Sequence, residues 1–343
     1  MELTIVDVFA EQPLAGNQLA VVRDCQGLSD AGMQAIAREM NFSETTFVIR
    51  EGDGEADVRI FTPAAELPFA GHPTVGTAWV LAGGEGAISL NLQAGTVPVS
   101  FADGIGWMTP PPVQLGDTFG PAKTAELINL QVDALDPDYP IRFAEVGPRF
   151  ILIGVRDLAS LRAAKLDGEL HQAYLQEGLS VQCVFVFTPE AYGPDADFAS
   201  RMFFDTNGVR EDPATGSANT AFAAYLHDLK RDEFDVVVDQ GVEMLRPSRL
   251  YLKVGETPQV GGRTQLVHGS VAFFQDDQFH NRLAKARLAR PRFDQLDFVG
   301  EITLGCERDA VGDARQFVLD GVTHRGFNLR IGPPADKGRW QKC

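Results

Sequence analysis

The sequence predicts an α+β fold of two pseudo-symmetric lobes, each organised around one buried helix. Two observations carry this expectation. Residues 74–81 (TVGTAWVL) and 217–227 (SANTAFAAYLH) are apolar on all sides and rich in small residues, the pattern of a helix enclosed by its neighbours rather than resting on them. Each also follows the same prelude. Arg59-Ile60-Phe61 leads through a polar turn into Phe69-Ala70-Gly71-His72, and Arg201-Met202-Phe203 leads into Ala214-Thr215-Gly216-Ser217. A strand, a turn and a glycine thus open a small-residue helix twice, which reads as an internal duplication with a cleft between the copies.

The remaining elements follow in order. β-Branched and aromatic runs bounded by Gly, Pro and Asp predict strands at residues 3–9, 19–22, 45–50 and 58–62. Between the second and third, SDAGMQAIAREM (29–40) sets a capping serine ahead of Met33, Ile36, Ala37 and Met40 at helical spacing. Strands resume at 87–92 and 97–101. The segment TPPPVQLGDTFG (109–120) holds three successive prolines, which donate no ladder or helix hydrogen bond, so the boundary between copies is placed there. The second copy has strands at 141–146, 150–155, 181–188 and 201–205 before its helix, then at 234–239, 250–254 and 265–274. The expected lobes are residues 1–112 and 121–274, with the last strand free to return to the first lobe. Residues 275–343 carry twelve Lys and Arg against ten Asp and Glu, leaving 18 against 37 in residues 1–274. That change, from −19 to +2, sets the segment apart as a C-terminal extension. It has strand-like pieces at 298–304, 316–319 and 328–331 and no assignable chemistry.

Composition removes several function classes. A formal net charge of −17 argues against a nucleic-acid partner, because affinity for phosphate backbones comes from clustered Lys and Arg. No apolar run approaches the roughly 18 residues of a membrane span, so no membrane partner is expected. The opening MELTIVDVF has no basic leader region, so no secretory signal is expected. Cys25, Cys183, Cys306 and Cys343 lie far apart without a C-x-x-C pair. Neither structural zinc nor a disulfide framework is therefore expected, and a reducing cytoplasm is the expected location.

The chemistry concentrates at the two helix openings. A helix start presents unpaired N–H groups and about half a positive charge, and so suits a carboxylate. Gly71 and Gly216 would let a ligand approach the backbone, and Pro73 suits a first helical turn. The plainer reading makes Gly71 and Gly216 turn residues and Ser217 a helix cap; the matched pair favours a site. Glu44, in Asn41-Phe42-Ser43-Glu44-Thr45-Thr46-Phe47, enters an apolar strand between two phenylalanines, where desolvation would raise its pKa toward acid/base use. Spacing alone does not single it out from a solvated glutamate. Asp212 precedes the second helix, as a substrate-orienting group or the start of a turn stiffened by Pro213. His72 is a candidate proton carrier or hydrogen-bond donor, and Asn17 a candidate ligand contact or a plain turn residue.

These residues fall in four segments, VDVFAEQPLAGNQLAVV, NFSETTFV, LPFAGHPTVGTA and EDPATGSANTA, whose order and spacing resemble the PhzF-like phenazine-biosynthesis isomerase family over residues 1–274. The resemblance implies a fold similar to diaminopimelate epimerase, each lobe a mixed sheet or barrel wrapped around a central helix with the active site between lobes. It implies an isomerase in which Glu44 is the acid/base, while Asn17, Gly71, His72, Asp212, Gly216 and Ser217 hold a small carboxylate substrate. It also implies a homodimer. Named members of the family isomerise a dihydro-hydroxyanthranilate. Diaminopimelate epimerases place a cysteine before each helix-opening glycine, whereas this chain has Ala70 and Thr215. Neither is an acid/base near neutral pH, so a two-thiol racemisation is excluded and a one-base mechanism remains. That mechanism requires no metal, flavin, pyridoxal or nicotinamide cofactor.

Two rivals stand beside this reading. One is a serine hydrolase using Ser217 and His72, disfavoured because no G-x-S-x-G elbow is present. The other is a non-catalytic protein that binds small acids on the same scaffold.

Overall fold

The computed structural model describes residues 1–178, 183–206, 209–272, 302–308, 314–323 and 326–331. The remaining parts of the strands expected at 181–188, 265–274 and 298–304 lie outside the described residues. The described chain divides into two units, Met1–Gln275 and Asp276–Cys343.

The first half of the larger unit supplies β1 (Glu2–Val8), β2 (Asn17–Arg23), α1 (Asp30–Met40), β3 (Glu44–Gly52), β4 (Glu55–Phe61), β5 (Glu66–Leu67), α2 (Gly71–Ala82), β6 (Ala87–Leu92), β7 (Gly95–Ala102) and β8 (Ile105–Met108). The linking segment carries β9 (Gln114–Thr118) and α3 (Pro121–Leu127). The second half supplies β10 (Arg142–Glu145), β11 (Arg149–Gly154), α4 (Leu158–Ala163), α5 (Gly168–Gln176), β12 (Cys183–Thr188), β13 (Phe198–Thr206), β14 (Val209–Asp212), α6 (Gly216–Lys230), β15 (Phe234–Gln240), β16 (Ser248–Val254), β17 (Gln259–Gly262) and β18 (Thr264–Ala272).

Strand pairing displays the duplication directly. From β1 through β2, β3, β4, β6 and β7 to β8, the successive pairings are antiparallel, parallel, antiparallel, parallel, antiparallel and antiparallel. From β10 through β11, β12, β13, β15 and β16 to β17 the same six relations recur in the same order. Short β5 pairs with β4, and β14 pairs with β13, just ahead of each enclosed helix. The two series join where β8 lies antiparallel to β17. At the outer ends, β18 returns to pair with β1 and β9 pairs with β10.

Each sheet wraps its helix. α2 packs against β1, β2, β3, β6, β7 and β8, and α6 against β9, β10, β11, β16 and β17. A helix touched on every side can carry no polar face, which accounts for the all-round apolar sequence. The main core runs through both lobes, from Val6, Leu19 and Val75 to Phe185, Phe187, Phe222 and Leu252. A satellite cluster of Met33, Ala37, Phe47 and Phe61 lies under α1. That helix is capped as its sequence indicates, Ser29 accepting from Gly32 N at 3.2 Å.

The structure departs from expectation in the linker. Residues 109–120 contain β9, because only the three prolines lack an N–H and pairing resumes immediately after them. α3, α4 and α5 were not expected. They are short helices whose apolar positions, including Leu127 and Leu161, cover a separate cluster with Ile151, Ile153 and Val186. The smaller unit contains β19 (Ile302–Arg308), β20 (Ala314–Thr323) and β21 (Gly326–Ile331), paired antiparallel in sequence order. Among the described residues no helix is long and apolar enough to cross a membrane.

Candidate active site

The two enclosed helices begin against each other. A methyl group built on Gly71 would lie 2.8 Å from Ser217 N and 2.9 Å from Gly216 Cα, and one on Gly216 would lie 3.2 Å from Gly71 Cα. These glycines therefore serve close approach between lobes, a use that the sequence does not display. Neither helix has a side-chain cap: the cap positions are Ala70 and Thr215. Ser217 is thus the second residue of α6 rather than its cap. Two uncapped helix starts in contact place about one positive charge and several free N–H groups in one region.

Four polar side chains gather around that junction. Asn17, at the start of β2, donates from Nδ2 to Asp212 Oδ1 at 2.8 Å and to Ala214 O at 2.9 Å. It thereby ties the first lobe to the strand and turn that precede α6. The same nitrogen lies 3.2 Å from His72 Nδ1. Its two hydrogens are already engaged, so it is not a hydrogen-bond donor to the ring. The backbone of Gln18 accepts an N–H from the imidazole, and Nε2 has no hydrogen-bond partner. The proton is therefore on Nδ1, and Nε2 is a bare acceptor.

Glu44 faces that acceptor. Its Oε2 lies 3.4 Å from His72 Nε2 without the alignment of a hydrogen bond, and both atoms are buried and unpartnered. The Glu44 side chain keeps 15% of its accessible surface, so the carboxyl is lodged in the protein with one face open. Burial, with a smaller contribution from the Asp212 charge, raises its pKa to about 8. Burial alone holds His72 down to about 3, against the Gln18 bond. Asp212 is pushed up to about 6 by burial, opposed by donors from Thr215, Asn17 and Ser43. The desolvation does not come from the neighbouring phenylalanines. Strand alternation turns Phe47 into the cluster beneath α1, and Phe42 packs there too.

The loop leading to Asn17 is clasped from the other lobe. Arg246 donates to Gly16 O (2.9 Å), Ala15 O (2.7 Å) and the buried carboxylate of Asp7 (2.6 Å), while Leu14 N donates to the other Asp7 oxygen (2.7 Å). Arg246 carried no sequence signal. Nor did Gln240, which bonds both the Asp212 carbonyl and Thr215 from the end of β15. All seven residues singled out from sequence (Asn17, Glu44, His72, Gly71, Asp212, Gly216 and Ser217) fall at or beside the helix junction. Among the described residues no three His, Cys, Asp or Glu side chains are grouped to hold a metal ion.

A model of the phenazine biosynthesis-like protein family, PhzC-PhzF, matches residues 6–275. The chain belongs to the PhzC-PhzF family. Within it, the trans-2,3-dihydro-3-hydroxyanthranilate isomerase of Pseudomonas aeruginosa is 38% identical over 260 residues, covering 73% of this chain and 88% of that protein. The enzyme of the same name from Pseudomonas fluorescens is 35% identical, over 78% of this chain and 96% of its own length. Among solved structures, a PhzF-family phenazine biosynthesis protein from Bacillus anthracis superposes with a TM-score of 0.71 at 26% identity, covering 80% of this chain and 99% of the other. A predicted epimerase from Pseudomonas aeruginosa gives 0.68 at 32% identity, with the same coverage. A probable proline racemase from Agrobacterium radiobacter shares the fold at 16% identity and a TM-score of 0.51, over 80% of this chain and 93% of its own. This PhzC-PhzF protein is accordingly an isomerase of a two-lobed fold also found in epimerases and racemases.

Proposed function

We propose that the protein is a cofactor-independent isomerase or epimerase that moves a proton between carbons of a small carboxylate, with Glu44 as the general acid/base. The observation that carries this reading is the pair Glu44 Oε2 and His72 Nε2, buried 3.4 Å apart and unbonded. A carboxyl with its pKa near 8 is a stronger base than an ordinary glutamate and still exchanges its proton near neutrality. The substrate carboxylate rests on the uncapped starts of α2 and α6, at Gly71, Gly216 and Ser217, where N–H groups also meet charge developing on the adjacent carbon. Asn17 and Asp212 hold the two lobes in register around it. Burial keeps His72 unprotonated, so its Nε2 serves only as an acceptor turned toward the Glu44 carboxyl.

The substrate class is a small cyclic or amino-acid-like acid. Trans-2,3-dihydro-3-hydroxyanthranilate, for which the Pseudomonas relatives are named, is the first compound to test. The reading includes a homodimer in the cytoplasm, checked by light scattering and by cell fractionation. The deciding assay is incubation of candidate acids with the enzyme in deuterated water. Carbon-bound deuterium in any of them supports proton transfer at carbon, whereas binding without label in all of them supports a non-catalytic acid-binding protein.

The hydrolase reading loses its base on geometry. His72 Nε2 has no hydrogen-bond partner and Nδ1 lies against Asn17, so neither ring nitrogen is bonded to Ser217. Fluorophosphonate should leave Ser217 unlabelled, and labelling read by mass spectrometry would restore the hydrolase.

A further inference from the structure

We propose that Gln240 is a positioning residue which, through the Thr215 hydroxyl, holds Asp212 as an acceptor-only carboxylate beside Glu44; this rests on Glu44 being the acid/base. The direction of every bond in the chain follows from two groups that cannot reverse. The Thr215 backbone N–H can only donate, and it meets Gln240 Oε1 at 3.3 Å. That fixes the orientation of the buried Gln240 amide, whose Oε1 also accepts from Asn219 Nδ2 at 2.9 Å. Gln240 Nε2 then donates to Asp212 O at 2.9 Å and to Thr215 Oγ1 at 3.2 Å. With its oxygen accepting there, the Thr215 hydroxyl donates to Asp212 Oδ2, 2.5 Å away.

The other carboxylate oxygen is treated alike. Ala214 O fixes the Asn17 amide, which donates to Asp212 Oδ1 at 2.8 Å, and Ser43 Oγ donates to it at 3.3 Å. Three donors and no acceptor reach Asp212, an arrangement that favours its ionised form against burial. It also explains why Thr215 leaves α6 uncapped: its hydroxyl is turned back to Asp212 and away from the helix N–H groups.

The titratable groups around Asp212 leave it the charge that Glu44 meets. Glu211, its neighbour on β14, is bonded by Arg201 through both oxygens at 2.8 Å. The Cys183 thiol on β12 is pushed up to about 12 by burial and then by Asp212, and His72 on α2 is held down to about 3 by burial, so both are neutral in the working range. Glu44 on β3 is the remaining group, and its proton affinity is raised by Asp212 after burial. Removing a donor from Asp212 raises its proton affinity toward that of Glu44, so Asp212 takes a larger share of the proton that the pair holds. The repulsion on Glu44 then falls, and Glu44 titrates at lower pH.

The test follows Glu44 by 13C NMR in protein labelled at the glutamate side-chain carboxyl, its signal identified by its absence in Glu44→Gln. Wild type and Thr215→Ser should titrate together. Thr215→Val and Gln240→Met should titrate lower by about one pH unit, with Thr215→Ala standing in if circular dichroism shows the valine variant unfolded. An unchanged Glu44 titration in the folded Thr215 variant, or in Gln240→Met, overturns the proposal. The titration needs no substrate, so its outcome is separate from loss or retention of turnover in Glu44→Gln, which tests the catalytic reading.

Discussion

Gly71 and Gly216 face each other backbone to backbone across the two lobes, so closely that a methyl on Gly71 would stand 2.8 Å from Ser217 N. The contact is between main chains, and no side-chain rotation relieves a clash there. The same contact brings two helix starts, each with exposed N–H groups, to one point.

Gly71→Ala should therefore force the helix starts apart. Overpacking against backbone is expected to destabilise the protein by about 1–3 kcal/mol, read as a lower urea midpoint. Turnover should fall further than stability accounts for, because Asn17, Glu44 and His72 would separate from Asp212. Wild-type stability and activity in Gly71→Ala would show that the lobes tolerate displacement.

Arg246→Ala should release the loop that ends in Asn17. It removes the partner of buried Asp7 together with two carbonyl contacts, and leaving a buried carboxylate unpaired costs about 3 kcal/mol. Denaturant unfolding reads that loss, and substrate affinity should weaken with it as the loop loosens. An unchanged midpoint would mean that Asp7 and the loop are held without Arg246.

The raised Glu44 pKa gives a signed prediction for stability. Between its ordinary value of 4.5 and about 8, Glu44 is protonated in the folded state and ionised in the unfolded state. Folding then takes up a proton, so this group's contribution falls as pH rises, by about 1.4 kcal/mol per unit across that window. Glu44→Gln has no such dependence. Its stability relative to wild type should grow from near parity at pH 5 to a clear advantage at pH 8, measured by thermal unfolding at each pH. A pH-independent difference would place Glu44 in a solvated environment.

The fold was legible where burial leaves a periodic trace. The small-residue helices read as enclosed because every face of α2 and α6 meets strands, and the strand–turn–glycine prelude marked both copies. What escaped were features made by long-range pairing. The sequence leaves the last strand free to return to the first lobe without naming β1 as its partner, and it does not show that Gly71 packs against Gly216. The candidate site shows the same division. Glu44, His72 and Asp212 were legible through the family motifs that hold them. The flanking phenylalanines, the neighbours the sequence offers for desolvating Glu44, do not enclose it, because Phe47 turns to the α1 side of the strand and Phe42 packs against the same cluster. Gln240 and Arg246 gave no signal, one an amide at a strand end and the other one surface-type cation among 30 Lys and Arg.

The most direct test of the central claim compares wild type with Glu44→Gln in deuterated water, using trans-2,3-dihydro-3-hydroxyanthranilate and related acids and following both isomerisation and carbon-bound label. Loss of both by about a hundredfold or more, with substrate affinity within a few-fold of wild type, is the predicted result. Near-normal turnover in Glu44→Gln would contradict it and move the proton-transferring role to another group.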